Sequence, residues 1–188
     1  SGFVKMFMDG VVDSRTAFML NDYPGVATRG EPLFAPERFK AICTEIDRRG
    51  LQIAVHAIGD GAVRTTIDGY EAAAQANGLH DMRHRIEHIE LIDRADIARL
   101  GALGITASVQ PPHPPGAMDF PMSTMETVFH KHRWQDAYLW KTLKDHGAPV
   151  AYASDWPVTD VSVMRGMQAA LGGLELVRDF NAVVMRGD

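Results

Sequence analysis

Short apolar runs alternate along the chain with longer segments in which apolar residues recur every three or four positions. The short runs are rich in β-branched side chains and end at glycine, proline or polar residues, which is typical of buried strands. Such runs lie at residues 4–8, 51–56, 83–89, 105–109 and 150–154. The pattern therefore predicts about five strands.

The segments between these runs carry helix signals. Pro36 suits the first turn of a helix, and Gly50 suits its C-terminal cap. Between them, Phe39, Cys43 and Ile46 recur at the spacing of one helix face. Further helices are predicted over residues 63–77, 93–100, 134–145 and 161–171, and a long loop rich in turn formers over residues 10–36.

Strands that alternate with helical crossovers indicate an α/β protein with a parallel sheet and right-handed connections. Eight such units close a TIM-type (β/α)8 barrel of about 250 residues, and a chain of 188 residues holds too few of them. We therefore expect residues 1–188 to form part of such a barrel, with a tail at residues 172–188 that has weak signals. Because Ser1 opens directly on a strand-like run without an initiator methionine, we also expect the chain to be cut from something longer.

Composition narrows the functional classes. The chain is 46% hydrophobic and 23% charged, enough for one buried core, and its net charge of −5 argues against nucleic-acid binding. No apolar run approaches the roughly 20 residues that span a bilayer. Cys43 is the single cysteine, which excludes an intrachain disulfide and fits a reducing compartment. We expect a cytoplasmic protein whose partner is a small molecule.

Two histidines come at the ends of neighbouring predicted strands. His56 ends the run at residues 51–56, and His88 lies near the end of the run at residues 83–89. In a barrel, both would reach the edge where the catalytic loops begin, although a histidine there can also be a core or loop residue. His84 is excluded as a partner of His88 in one metal site, because four residues of strand separate the two by about 13 Å.

Other charged residues interrupt or follow the apolar runs. Asp155 directly follows the run at residues 150–154, and it is either a turn aspartate or a carboxylate that touches a metal and accepts a proton from water. Lys5 lies within the first strand, either as a solvated edge residue or as a functional amine with a lowered pKa. Arg85 and Glu87 alternate on one face of a strand that should be buried, which indicates a salt bridge or an inward role.

Several distinctive segments mark the strand ends and the loops after them. They are Lys5-Met6-Phe7-Met8-Asp9-Gly10, Ser14-Arg15-Thr16-Ala17, His56-Ala57-Ile58-Gly59-Asp60, Arg85-Ile86-Glu87-His88, Ser108-Val109-Gln110-Pro111 and Ser154-Asp155-Trp156-Pro157-Val158. In this order the segments resemble the amidohydrolase superfamily and, within it, the amidohydrolase-3 group, which includes N-substituted formamide deformylase-like enzymes. The resemblance extends from Val4 to about Leu171.

The resemblance implies a metal-dependent hydrolase on a TIM-type barrel, of which this chain is the C-terminal portion, roughly strands four to eight with their helices. Such an enzyme uses a divalent metal, zinc first, to activate water against the C–N bond of an amide, formamide or cyclic amide. The complete protein would hold one or two ions.

The resemblance also assigns roles by position. His56 and His88 match the histidine ligands of strands five and six. Lys5 matches a strand-four lysine that can be carbamylated and bridge two metals. Asp155 matches the strand-eight aspartate, which serves as both ligand and general base. Two loop residues match positions that can contact substrate: Arg15, which can equally be a solvated loop arginine, and His113.

The chain also departs from the family pattern. The family's His-x-His pair on the first strand has no counterpart, because every histidine lies at or beyond His56. An alternative therefore stays open, namely a catalytically inactive barrel fragment that binds metal weakly or not at all. Such a fragment would self-associate, or join a missing N-terminal barrel portion, to cover its open sheet edges. A metal-free scaffold is a third interpretation.

Overall fold

The five apolar runs form one sheet, and helices connect its strands. The structure, a computed structural model, describes residues 2–115, 121 and 123–170. The strands are β1 (Phe3–Phe7), β2 (Gln52–Ala57), β3 (Arg85–His88), β4 (Thr106–Val109) and β5 (Val150–Tyr152). The helices are α1 (Pro36–Arg48), α2 (Asp60–Asn77), α3 (Arg94–Ala102), α4 (Ser123–Val128) and α5 (Trp140–Asp145), with a 3-10 helix at Lys131–Asp136. Residues 163–170 are also helical.

The order of strands in the sheet is their order along the chain, and every neighbouring pair is parallel. This is the arrangement of successive right-handed βαβ units in the wall of a barrel. Residues in register point to the same face of the sheet, and the register aligns Phe7, His56, Glu87 and Ser108. These side chains therefore share one face near the carboxyl ends of the strands.

The opposite face of the sheet forms the core with the helices. Val55 and Ile86 lie on this face, and both are fully buried. The helices α1 and α2 pack against each other, and Gly69 of α2 faces Phe39 and Cys43 of α1. A Cβ atom at Gly69 would lie 2.5 Å from Phe39 Cε1 and 3.1 Å from Cys43 Sγ. Glycine is therefore required here by lack of space rather than by backbone conformation.

The starts of α1 and α3 follow local capping rules. Pro36 is the first residue of α1, where its missing N–H leaves no hydrogen bond unmade. At α3, the Asp93 side chain accepts a hydrogen bond from the Ala95 N–H at 2.9 Å, which satisfies one free donor of the first turn.

The prediction of one continuous helix over residues 134–145 is wrong. The 3-10 helix ends at Asp136 and α5 begins only at Trp140, because Ala137 pairs with Leu91 in an antiparallel bridge and Tyr138 has a φ of 52°. Backbone pairing with the loop after β3 has replaced the hydrogen bonds of a continuous helix. The helix α4 lies in a segment for which no helix is predicted.

The ends of the predicted elements need smaller corrections. The run at residues 83–89 forms a strand only over Arg85–His88, and the run at 150–154 only over Val150–Tyr152. Residue 171 and the tail at 172–188 lie outside the described residues. Among the helices in the described part of the chain, none is long and apolar enough to cross a membrane.

Candidate metal centre

Three imidazole rings meet at the carboxyl edge of the sheet. His56 and His88 come from the ends of β2 and β3, and their ring centroids are 4.5 Å apart. His113 belongs to the loop after β4 and stacks on His88, with centroids 5.5 Å apart and planes 10° apart. All three side chains are buried. The structure therefore places the two sequence-predicted histidine ligands side by side and adds a third histidine to them.

The backbone at the end of β3 explains how His88 reaches this group. His88 is in register with Ala57, so in a regular strand its side chain would point toward the helices. Instead its φ is 81°, and Ile89 follows with a φ of 50°. Such left-handed conformations cost non-glycine residues roughly 1 to 3 kcal/mol each. The turn they make carries the His88 ring around to His56.

A carboxylate, that of Glu90, lies beside His88 and His113. His88, Glu90 and His113 are all buried. One ring nitrogen of each histidine and one carboxylate oxygen of Glu90 lie within 4.8 Å of one another. Glu90 Oε1 lies 3.6 Å from His113 Nδ1. The sequence interpretation missed Glu90, because it follows the end of β3 and lies outside the strand pattern. Its only signal is a carboxylate two residues after a histidine at a strand end.

One nitrogen in this group has a notable environment. His88 Nδ1 is buried and has no hydrogen-bond partner in the described part of the chain. Leaving such an atom unpaired costs about 1 to 3 kcal/mol. Burial, together with the neighbouring His56 and His113, lowers the pKa of His88 to about 2. The ring is therefore neutral and has a lone pair available, which is the form that binds metal ions.

His56 is oriented by the loop after β1. Its Nε2 lies 2.8 Å from the Gly10 carbonyl oxygen, so Nε2 carries the hydrogen and donates it. This assignment leaves the lone pair on Nδ1. A hydrogen bond from one ring nitrogen to a carbonyl is the usual way in which a histidine ligand is fixed. Burial lowers the pKa of His56 and keeps the ring neutral.

Asp9 holds the loops around His56. Its carboxylate accepts hydrogen bonds from the N–H groups of Phe18, Ile58 and Gly59 at 2.9 to 3.1 Å. Asp9 Oδ1 also lies 3.6 Å from His56 Nε2. Burial raises the pKa of Asp9 to about 7, although the three N–H groups oppose the shift. Asp9 therefore joins the loop after β1 to the loop after β2, next to His56.

Asp155 closes the group on the side of β5. Its Oδ2 lies 3.7 Å from His113 Nε2, and its side chain is 36% exposed, unlike the buried Glu90. Its φ is 60°, another left-handed residue at this edge of the sheet. Asp155 therefore stands at the mouth of the histidine group, where solvent and the group meet.

Lys5 lies on the open face of the sheet. Its side chain is exposed, and its Nζ is 5.2 Å from the centre of the Phe7 ring. Partial burial lowers its pKa, while the carboxylate of Glu87 opposes the shift. The lysine charge in turn contributes to the lowered pKa values of His56 and His88. Lys5 therefore acts on the histidine group electrostatically.

The two charged residues of β3 form an ion pair on this same face. Arg85 Nε lies 2.6 Å from Glu87 Oε1, and the Arg85 guanidinium lies over the Phe3 ring, 5.0 Å from its centre. Glu87 is in register with His56, so it faces inward. The salt bridge that the alternation suggested is therefore present, and Glu87 faces the same side of the sheet as His56.

The structure places Arg15 apart from this group. Arg15 is exposed in a turn in which its N–H donates to the Val12 carbonyl at 2.9 Å and its φ is 57°. Within the described residues its guanidinium makes no hydrogen bond or ion pair.

Comparison with known proteins places the chain. The model of the amidohydrolase family matches residues 1–179. The chain belongs to the amidohydrolase family. Proteins of similar sequence include "Protein LONG AFTER FAR-RED 3" of Arabidopsis thaliana, 35% identical over 90% of this chain. "Putative amidohydrolase YtcJ" of Bacillus subtilis (strain 168) is 32% identical over 90% of the chain. An "N-substituted formamide deformylase" of Arthrobacter pascens is 23% identical over 83%.

The amidohydrolase fold is confirmed by a solved structure. An uncharacterized metal-dependent hydrolase from Pyrococcus horikoshii OT3 superposes on 95% of this chain with a TM-score of 0.79 and 27% sequence identity. The match covers 36% of that chain, and the three relatives above are covered over 29%, 31% and 28% of their lengths. This chain thus spans between 28% and 36% of the length of these four proteins. It is a partial barrel, as the strand count predicts.

Proposed function

We propose that this chain carries the metal-binding wall of a metal-dependent hydrolase that cleaves a C–N bond in a small amide-like molecule. The observation that carries the proposal is the buried group of His88, Glu90 and His113, whose ligand atoms lie within 4.8 Å of one another. Two imidazoles and one carboxylate are a donor set that suits zinc in catalytic sites, and we propose zinc as the metal.

The residues fit a divalent cation on chemical grounds. His88 Nδ1 is buried without a partner, and a bound cation would satisfy it. The pKa of His88 is low enough to keep its lone pair available at neutral pH. Glu90 supplies the negative charge that a buried cation requires. These contacts favour a ligand role for His113 over the substrate contact that the resemblance implies.

A divalent ion held there would lower the pKa of a water molecule toward neutrality. The chain's own residues divide the remaining work. Asp155, at the mouth of the group, accepts a proton from the attacking water and returns it to the departing nitrogen. His56 is held by the Gly10 carbonyl with its other ring nitrogen available as a further ligand.

Lys5 is the remaining proposed ligand. The role that the resemblance implies requires its neutral amine to attack carbon dioxide, forming an N–C bond and releasing one proton, so that a carbamate oxygen becomes the donor atom. The lowered pKa of Lys5 supports this step because it raises the share of neutral amine. Arg15, exposed and apart from the group, stays a proposed substrate contact.

Zinc binding by the chain tests the proposal. The metal-depleted chain is titrated with Zn²⁺ against a chromophoric chelator, and bound zinc is counted by mass spectrometry. We expect saturable binding by the unmodified chain and at least tenfold weaker binding by His88→Ala and Glu90→Gln. His146→Ala is the matched control, because His146 is an exposed histidine whose Nδ1 lies 2.8 Å from the Thr142 carbonyl at the end of α5. Absence of zinc binding would refute the proposal.

Hydrolysis of an N-substituted formamide then tests the reaction class. We propose this substrate class because one relative is named a deformylase of such compounds. Turnover that requires zinc and is lost in Asp155→Asn would support the mechanism. Zinc binding without turnover would favour the inactive alternative for the chain on its own.

A second observation favours that alternative for the isolated chain. Phe3 and Phe7 are 54% and 52% exposed on β1, on the face of the sheet opposite the helices. An apolar sheet face of this kind normally lies against other protein. We propose that a second copy of the chain covers it when no other barrel strands are present. Sedimentation velocity at several concentrations would detect this association, and a monomer at every concentration would argue against it.

A further inference from the structure

We infer that Tyr138 is a positioning residue that fixes the Glu90 carboxylate for metal binding. The inference rests on the proposed function, because it takes Glu90 to be a ligand. The relevant contacts lie between the loop after β3, which carries Glu90, and the segment between the 3-10 helix and α5, which carries Tyr138.

The contacts divide the two oxygens of Glu90 between two tasks. The Tyr138 hydroxyl donates a hydrogen bond to Oε2 at 3.3 Å. The other oxygen, Oε1, is the one that lies 3.6 Å from His113 Nδ1. A hydroxyl that holds Oε2 thereby fixes the rotation of the carboxylate and keeps Oε1 directed at the histidine group. This is the arrangement in which an outer hydrogen bond orients a metal ligand.

The backbone of the two segments is joined at the same place. The Tyr138 N–H donates to the Glu90 carbonyl at 2.9 Å. Leu91 and Ala137 form an antiparallel bridge, and the Ile92 N–H donates to the Asp136 carbonyl at 3.3 Å. Tyr138 is therefore held to Glu90 through both main chain and side chain. The main-chain pairing keeps the two residues side by side, within reach of the hydroxyl–carboxylate hydrogen bond.

Two further features fix the Tyr138 ring. The side chain is buried, and its ring meets Trp140 edge to face, with centroids 5.9 Å apart.

The backbone of Tyr138 is strained. Its φ of 52° belongs to a conformation that bulky residues rarely adopt. Of the six non-glycine residues with positive φ in the described ranges, four lie in or beside this site: His88, Ile89, Tyr138 and Asp155. Backbone strain of this kind concentrates at functional sites.

The variant Tyr138→Phe removes the hydroxyl and keeps the ring. We expect it to weaken Zn²⁺ binding by about tenfold, the lower end of the range for outer hydrogen bonds to metal ligands. With Co²⁺ as the probe, the visible absorption bands should change in position or intensity, because the carboxylate is reoriented. Tyr70→Phe is the matched control. Tyr70 is also buried, and its hydroxyl donates to the Arg85 carbonyl at 2.9 Å. It should leave both readouts unchanged, even where stability falls.

A double-mutant cycle separates positioning from a general loss of packing. In the Glu90→Gln background, Tyr138→Phe should have little further effect on zinc affinity, because its effect acts through the carboxylate. Additive effects, or unchanged zinc affinity and cobalt bands in Tyr138→Phe, would overturn the inference while leaving the proposed function intact. Failure of the unmodified chain to bind either metal would overturn both.

Discussion

The His84 ring donates a hydrogen bond from Nε2 to the Asp47 carboxylate at 2.9 Å, at the opposite end of β3 from His88. The direction follows from the other nitrogen, since His84 Nδ1 accepts the Ile53 N–H at 3.0 Å. Asn77 donates to the second oxygen of Asp47 at 2.8 Å. This neutral histidine therefore links α1, α2, β2 and β3 at the amino-terminal end of the sheet.

The His84 arrangement predicts a pH dependence of stability. Burial lowers the pKa of His84, although the Asp47 hydrogen bond opposes the shift. The folded pKa therefore lies below the unfolded value of about 6.5. The stabilisation is present above about pH 6.5 and is lost as the pH falls through the folded pKa. We expect the free energy of unfolding in urea to fall below pH 6.5, with a smaller slope in His84→Gln.

The control for this experiment is His146→Gln, which alters an exposed histidine at the end of α5. It should keep the slope of the unmodified chain. Other buried histidines contribute to that slope, so His84→Gln should reduce it rather than abolish it. An identical slope in His84→Gln and the unmodified chain would contradict the assigned hydrogen bonds.

Replacing Gly69 by alanine should destabilise the fold. Alanine favours the helix by about 1 kcal/mol over glycine. The added Cβ, however, would meet the buried Phe39 ring at 2.5 Å, and overpacking of this kind costs about 1 to 3 kcal/mol. We therefore expect a net loss of up to about 2 kcal/mol, measured by urea denaturation. Among the described residues, a Cβ atom at Gly166 would meet nothing within 4 Å outside its own helix backbone, so Gly166→Ala should be neutral or stabilising.

The buried ion pair between Arg133 and Asp60 should be sensitive to removal of one partner. Arg133 Nη2 lies 2.9 Å from Asp60 Oδ2, and Asp60 is completely buried. Arg133→Met would leave that carboxylate without its counter-charge, which typically costs about 3 to 5 kcal/mol. Arg94→Met is the comparison, because Arg94 pairs with Asp136 from a half-exposed position. Thermal unfolding of that variant should differ little from the unmodified chain.

Zinc should stabilise the fold if it binds the folded state and not the unfolded state. At a free concentration 100 times the Kd, the free energy of unfolding should rise by about 2.7 kcal/mol. The rise should disappear on addition of a chelator and be absent in His88→Ala. Calorimetric melting with and without zinc measures it. An equal rise in both proteins would mean that the metal binds elsewhere.

The sheet and the two strand-end histidines could be predicted because local patterns encode them. Apolar runs bounded by turn residues gave β1 to β5, and position along those runs singled out His56 and His88. The split between the 3-10 helix and α5 could not be read locally. It depends on Ala137 pairing with Leu91, a residue far away in sequence.

The rest of the candidate site depends on backbone conformations that cannot be predicted from the residue types. A positive φ at His88 reverses the face expected from strand alternation, and non-glycine residues give no warning of it. Glu90 joins the group only because that turn follows β3. His113 comes from a proline-rich loop, where its position relative to His88 depends on tertiary packing.

The turn at His88 and Ile89 has a consequence for protein engineering. His88 and Ile89 are two adjacent left-handed residues, and the Nδ1 atom of His88 is buried without a hydrogen-bond partner in the described part of the chain. Selection of variants for thermal resistance alone would therefore favour replacements here, such as asparagine or glycine, that tolerate this backbone. Selection in the presence of the ligand would oppose the same replacements. A library of variants is selected once for thermal resistance alone and once in the presence of zinc. Positions at which the two selections enrich different residues are those needed for metal binding rather than for folding.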